Sequence, residues 1–193
     1  MQTISRDDVP SPTPLPAAGL VRRCQHPDEY ADHEVGSLFP DLGRAELGDV
    51  SCGVACVHMI LRHVLGSAPD YLRLIRAGFD AGAFTDQGWL HAGLADLLTG
   101  LGVPARATGS HDPERLLAAC ARGLPSIVSC SIGFPEDGQR GGHLVVLLGE
   151  LPPKTRPRVA FADPSRWGET HRDVESARFW ASWSGRAIVL EGT

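Results

Sequence analysis

A thiol attacks as its thiolate, and it needs a base within reach and a third group to hold that base. The chain carries five cysteines and eight histidines, and one combination has the settings such chemistry requires. Cys52 opens the run CGVACVHMILRHVLG, whose apolar residues Val54, Val57, Ile60, Leu61, Val64 and Leu65 recur at helical spacings of three and four. Ser51 is the expected N-cap and Gly66 the C-terminal stop. A helix start offers unpaired N–H groups and about half a positive charge, and both favour a thiolate. The N–H of Cys52 is then a candidate oxyanion donor, with Gly53 leaving room for a substrate carbonyl to approach. His143 follows Gly141-Gly142 and opens the apolar strand LVVLLGE, where it can be reached from outside a sheet. Asp163 ends the next strand, in FADP. If those two strands are hairpin neighbours, Asp163 lies beside His143 and fixes its tautomer and orientation.

The elements that must position these residues divide the chain. Residues 1–20 contain four prolines and little periodicity, and read as a disordered or extended arm. Residues 21–193 read as one domain. Within it, 21–50 is an irregular approach segment, with one short helix expected around Pro27–His33. After the Cys52 helix, a helix is expected over Pro69–Ala77. FTDQGW is read as a turn, with Asp86 capping a third helix through Leu98. A short strand follows at Ala105–Thr108, then a helix from His111-Asp112-Pro113 to near Gly123. PSIVSCSIG, HLVVLLGEL and RVAFADP are strands, with Pro152-Pro153 as a hairpin turn. Val174–Trp183 reads as a helix and RAIVLE as a final strand. Helices first and strands later, with hairpin-length links, give an α+β fold with an antiparallel sheet.

Composition narrows the function classes. The net charge of −5 disfavours nucleic acid as a partner. No apolar run approaches the roughly 20 residues that span a bilayer, and MQTISRDDVPSPTPLPAAGLVRR has no apolar signal core, so no membrane is expected and the cytoplasm is the expected location. An odd number of cysteines in a reducing compartment makes a disulfide framework improbable.

The motifs SCGVACVHMIL, GGHLVVLLG and FADPS together resemble the bacteriocin leader-peptidase type of papain-like cysteine peptidase, over roughly residues 45–190. TDQGWLHAGLADLL is similar to a segment found in a free-standing actinobacterial branch of that superfamily. The resemblance implies a papain-like α+β fold in which an N-terminal helical half packs on the sheet. It implies Cys52 as nucleophile, His143 as base and Asp163 as orienting residue, with no cofactor. The family usually has a glutamine six residues before the cysteine, donating to the oxyanion; here that position is Glu46. A protonated Glu46, a slipped alignment in this stretch, or a substitute such as Gln87 would each reconcile the difference.

Plainer readings stand beside these. Cys56, Cys120 and Cys130 sit in apolar helix and strand settings and are expected to pack; Cys24 is uninformative. Cys52 and Cys56 have the spacing of a zinc pair, but no second pair accompanies them, so no metal is expected. His58 and His63 are expected to be exposed or satisfied. Trp89 and Gly142 are cleft candidates, and His91 is placed to line a cleft. Trp167, Trp180 and Trp183 cluster near the C-terminus and are expected to pack in the core. The first expectation is a peptidase or amide hydrolase working through a thioester, on a peptide or acyl-carrier-bound substrate. An acyltransferase in a natural-product pathway, like the butirosin-type enzymes of related fold, and a catalytically silent binding module are the alternatives.

Overall fold

The computed structural model describes residues 19–109, 112–152 and 156–191. Its centre is α3 (Cys52–Leu65), in which residues 53–61 are buried on every face because neighbouring helices and the sheet pack around it. Gly66 ends it in the left-handed conformation. Around it lie α4 (Tyr71–Asp80), capped by the Asp70 carboxylate on the Arg73 N–H, and α5 (His91–Gly100). Leu90 precedes α5 without any side-chain cap. Asp86 is not that cap, because FTDQGW forms a hairpin of β1 (Phe84–Thr85) and β2 (Gly88–Trp89).

The remaining strands are β3 (Ala105–Thr108), β4 (Ser126–Cys130), β5 (His143–Leu151), β6 (Arg158–Ala162), β7 (Asp173–Glu175) and β8 (Trp183–Leu190). They form one antiparallel sheet in the order β3-β8-β4-β5-β6-β7. Alternation along β5 explains its unbroken apolar run. Leu144 and Val146 join the core beneath α3, while Val145 and Leu147 join a second core on the opposite face. That second face is covered by α6 (Pro113–Ala121) and α7 (Ser176–Ser182), so helices lie on both sides of the sheet. Asp112 caps α6 and Pro113 fills its first turn, as the sequence suggests. His111 and the Pro152-Pro153 turn lie wholly or partly outside the described residues, as does the arm up to residue 18.

Two expectations need correction. The segment 21–50 holds two helices, α1 (Asp32–Leu38) and α2 (Arg44–Val50), so the one expected around Pro27–His33 begins only at Asp32 and a second follows it. Each buries one strong apolar residue, Val35 and Leu47, and each begins with a backbone N–H donated to a glutamate three residues on. The C-terminal helix is shorter than Val174–Trp183, because Val174 belongs to the edge strand β7 and Trp183 opens β8. Among the described residues no single helix is long and apolar enough to cross a membrane.

Candidate active site

The α2–α3 corner sets the position of Cys52. Ser51 takes the N-cap position, but its hydroxyl donates to Leu47 O (2.5 Å) and does not cap α3. The first N–H groups of α3 therefore have no side-chain partner, and Cys52 stands half-buried at the cleft. The Trp89 indole donates to Val50 O across the same corner. Gly53 serves this packing and not the approach of a substrate. A Cβ there would lie 2.7 Å from Trp89 Cγ and 2.8 Å from Leu94 Cδ1. One turn along, the Cys56 thiol donates to Leu144 O (3.3 Å) and fastens the helix to β5; burial pushes this thiol well up.

His143 is delivered by the turn before β5. Gly141 and Gly142 both have positive φ (76° and 90°), which side chains with a Cβ rarely adopt. The Gly141 N–H donates to Ser182 O, fixing the turn against the end of α7. In the β5–β6 register Val146 faces Ala162, so the next residue of β6's course, Asp163, falls diagonally across from His143. His143 Nε2 lies 2.8 Å from Asp163 Oδ1, with Asp163 completely buried. The Cys52 sulfur lies close enough to the imidazole to act on its charge.

Charge follows from this geometry. Burial alone pulls the His143 imidazolium down, but the Asp163 carboxylate and the Cys52 sulfur outweigh it and raise the group to about 10. Burial likewise pushes Asp163 up, and the His143 hydrogen bond and charge, with the Ser165 amide, bring it below the ordinary carboxylate value. Asp163 Oδ1 accepts the Ser165 N–H at 2.7 Å.

The loop carrying Asp163 is held from both sides. Arg22 donates to Asp163 O (2.6 Å), to Pro164 O (3.2 Å) and to Ser165 O. The Gln25 N–H donates to Pro164 O at 2.8 Å. From the other side Gly168, in the 3-10 turn Arg166–Glu169, presses on the loop; a Cβ there would sit 2.1 Å from Asp163 O. Backbone cannot yield as a side-chain tip does. Gly168→Ala is therefore expected to displace Asp163 and destabilise the fold by about 1–3 kcal/mol, the usual cost of overpacking. A parental melting temperature in that variant would contradict this.

Two cavities meet at Cys52, Asp49 and Gly142. The first, about 760 Å³, has walls of Trp89, Leu144, Phe84 and His91, with Gln87 on the hairpin. The second, about 680 Å³, is bordered by His143, Gln25, Ile132 and Trp167. His91 is half-buried with Nε2 unpartnered, and burial followed by the Arg186 charge lowers its basicity.

Cys52, His143, Asp163, Trp89 and Gly142 thus come together, with Gln87 at the edge of the first cavity. Glu46 does not join them. It is exposed, and its carboxylate accepts the Gly43 N–H (2.8 Å) at the start of α2. Matching it to the family glutamine equated a position in the chain with a place in space. His58 also departs from expectation: it is buried, its Nδ1 has no partner, and burial and then Arg23 lower it to about 4. Trp167, Trp180 and Trp183 all pack in or against the second core, as expected, and Trp167, stacked on Phe161 and His171, also lines the second cavity. Arg22, Gln25 and Asp49 were missed; nothing local in their segments marks them. Among the described residues no group of three His, Cys, Asp or Glu side chains is disposed to hold a metal.

A helix bearing a cysteine at its start, packed on an antiparallel sheet bearing a histidine and an aspartate, is the architecture of the papain-like cysteine peptidases, and this chain has that fold. Its solved neighbours are specifically C39-like peptidase domains. The peptidase domain of Streptococcus ComA, a bifunctional ABC transporter of a quorum-sensing pathway, matches at a TM-score of 0.55 and 21% identity, over 75% of this chain and 93% of that one. A Bacillus anthracis chain described as a C39-like peptidase matches at 0.57 and 18%, over 75% and 90%. A double-glycine-motif protease from an AMS/PCAT transporter, solved with its leader peptide, matches at 0.50 and 22%, over 74% and 84%. No family model matches the chain, and no curated protein does.

Proposed function

We propose that the protein is a cysteine-dependent acyl-transfer enzyme, acting first as a hydrolase of peptide or related amide bonds. The observation that supports this reading is the His143–Asp163 pair at 2.8 Å, with His143 and Cys52 bordering one cavity. In this reading the Cys52 thiolate attacks the substrate carbonyl and the Cys52 N–H receives the oxyanion. The tetrahedral intermediate collapses to a thioester as His143 protonates the leaving amine. His143 then takes a proton from water, which releases the acid and restores the thiolate. The described cysteines are all free, which supports a reducing compartment such as the cytoplasm. The substrate is proposed to be a peptide or a carrier-bound acyl group. Intact-mass trapping with an activated acyl ester tests the reading: one acyl group on Cys52 supports it, and acylation spread over other thiols or absent opposes it and favours a silent module.

The pair also fixes a pH dependence. His143 in the folded state lies above its ordinary value of about 6.5. Its stabilising contribution is thus complete below about pH 6.5 and lost as pH rises through about 10. Thermal midpoints measured across that window should fall more steeply for the parent than for His143→Gln. Parallel curves would remove the imidazolium from the account.

A further inference from the structure

We propose that Arg186 makes the first cavity a subsite for an anionic acyl group, its guanidinium pairing with a carboxylate on the part of the substrate that stays on Cys52. This rests on the thioester reading above and adds a choice among acyl groups. The acyl part lies away from the group that protonates the leaving amine, and His143 borders the second cavity only. Cys52 borders both, so an acyl group on its sulfur has the first cavity before it.

Arg186 is placed there by the strand that carries it. It lies two residues from Ile188 on β8, and Ile188 joins the core beneath α3. Alternation therefore directs Arg186 to the same face of the sheet. Its backbone is held at both ends: the N–H donates to Ser184 Oγ (3.3 Å), and the carbonyl accepts the Trp183 indole N–H (2.9 Å). The side chain is exposed and borders the cavity, and among the described residues it has neither an ion-pair nor a hydrogen-bond partner. It is the one arginine or lysine on that cavity's wall among the described residues. His91, the other basic side chain there, is lowered by burial and then by Arg186, which leaves the positive charge to the guanidinium.

Two carboxylates border the same cavity, Asp49 beside the α2–α3 corner and Asp86 on the β1–β2 hairpin. Both belong to the helical half, opposite the sheet that carries Arg186. A dianionic phosphate would meet their combined repulsion, whereas a single carboxylate is drawn to the sheet wall by the guanidinium. Phe84, Trp89 and Leu144 add an apolar surface that suits a methylene chain. The class of substrate is thus a monoanionic acyl group, its carboxylate separated from the reacting carbonyl by a short apolar chain.

The test compares three p-nitrophenyl esters of similar length on the full-length protein: the adipate monoester, which is anionic, the uncharged hexanoate and a cationic trimethylammonio-pentanoate. The quantity measured is the second-order rate constant of p-nitrophenol release on acylation of Cys52, with the hydrolysis seen in Cys52→Ala subtracted. At low ionic strength the parent should react about fivefold faster with the adipate than with the hexanoate, the upper scale of one exposed ion pair, and slowest with the cation. Arg186→Gln should bring the adipate-to-hexanoate ratio to about one, and Arg186→Lys should keep part of it. Salt at about 0.5 M should also erase the ratio in the parent, which decides the matter if Arg186→Gln does not fold. A parental ratio of one or less, or a ratio that survives Arg186→Gln or salt, overturns the subsite and leaves the thioester chemistry standing. A faster cationic ester does the same and assigns the cavity to Asp49 and Asp86. Failure of all three esters to acylate Cys52 overturns the proposed function, and the subsite with it.

Discussion

Cys52→Ala is expected to abolish acyl transfer while leaving the fold in place. Loss of a covalent nucleophile removes the thioester altogether, and comparable single removals cost on the order of 10⁵-fold or more in turnover. The packing of α3 does not depend on this sulfur. Val54, Val57, Met59 and Ile60 are all fully buried on the same helix, whereas Cys52 is only half-buried at its cleft end. The thermal midpoint should stay within about 3 °C of the parent, the usual scope of a change away from the core. Stopped-flow release of p-nitrophenol from an activated ester reads the chemistry, and a melting curve reads the fold. A persisting burst in a folded variant would move the nucleophile elsewhere.

Asp163→Ala should be costly in both respects. Asp163 is completely buried, its Oδ1 meets His143 and the Ser165 N–H, and its loop is tied by Arg22 and Gln25. Removing one partner of a buried pair leaves the other unmatched, at about 3 kcal/mol or more. For a domain of this size that lowers the melting temperature by roughly 6–12 °C. Without the carboxylate, burial pulls His143 down and the imidazole loses the contact that orients it. Turnover is expected to fall roughly 10³-fold or more, as in other triads that lose their orienting residue. Asp163→Asn retains an oxygen that can accept from the ring, and should keep more stability than the alanine variant. Equal melting temperatures for the parent and Asp163→Ala would show that the pair does not support the fold.

The parts of this site legible in the sequence are those with local signatures. The helix at Cys52 has three- and four-residue apolar spacing and a terminal glycine. β5 and β6 are apolar runs bounded by glycine and proline, and an antiparallel hairpin necessarily brings the start of one near the end of the other. Hence His143 and Asp163 are placed together by the hairpin, while Cys52 is joined to them by a thiolate's need for a base and by the family resemblance. The short helices α1 and α2 carry no such signature, for each turns on a single buried apolar side chain, Val35 or Leu47, and is held by tertiary packing. Gln25 and Arg22 act through hydrogen bonds to residues about 140 positions away, which leave no trace in the local pattern. Glu46 shows the converse: its place in the chain suggested the oxyanion, while its N3 position in α2 gives it a backbone N–H to accept. The six-residue spacing to the cysteine passes through the α2–α3 corner, so chain distance does not translate into reach.

The central claim is that His143, held by Asp163, makes Cys52 the reactive thiol. It is tested most directly by limited iodoacetamide labelling at neutral pH, with peptide mapping of all five cysteines. Cys52 should be alkylated well ahead of Cys24 and of the buried Cys56, Cys120 and Cys130, and His143→Ala should erase that lead. Preferential labelling of Cys24, or a Cys52 rate indifferent to the loss of His143, would contradict the account.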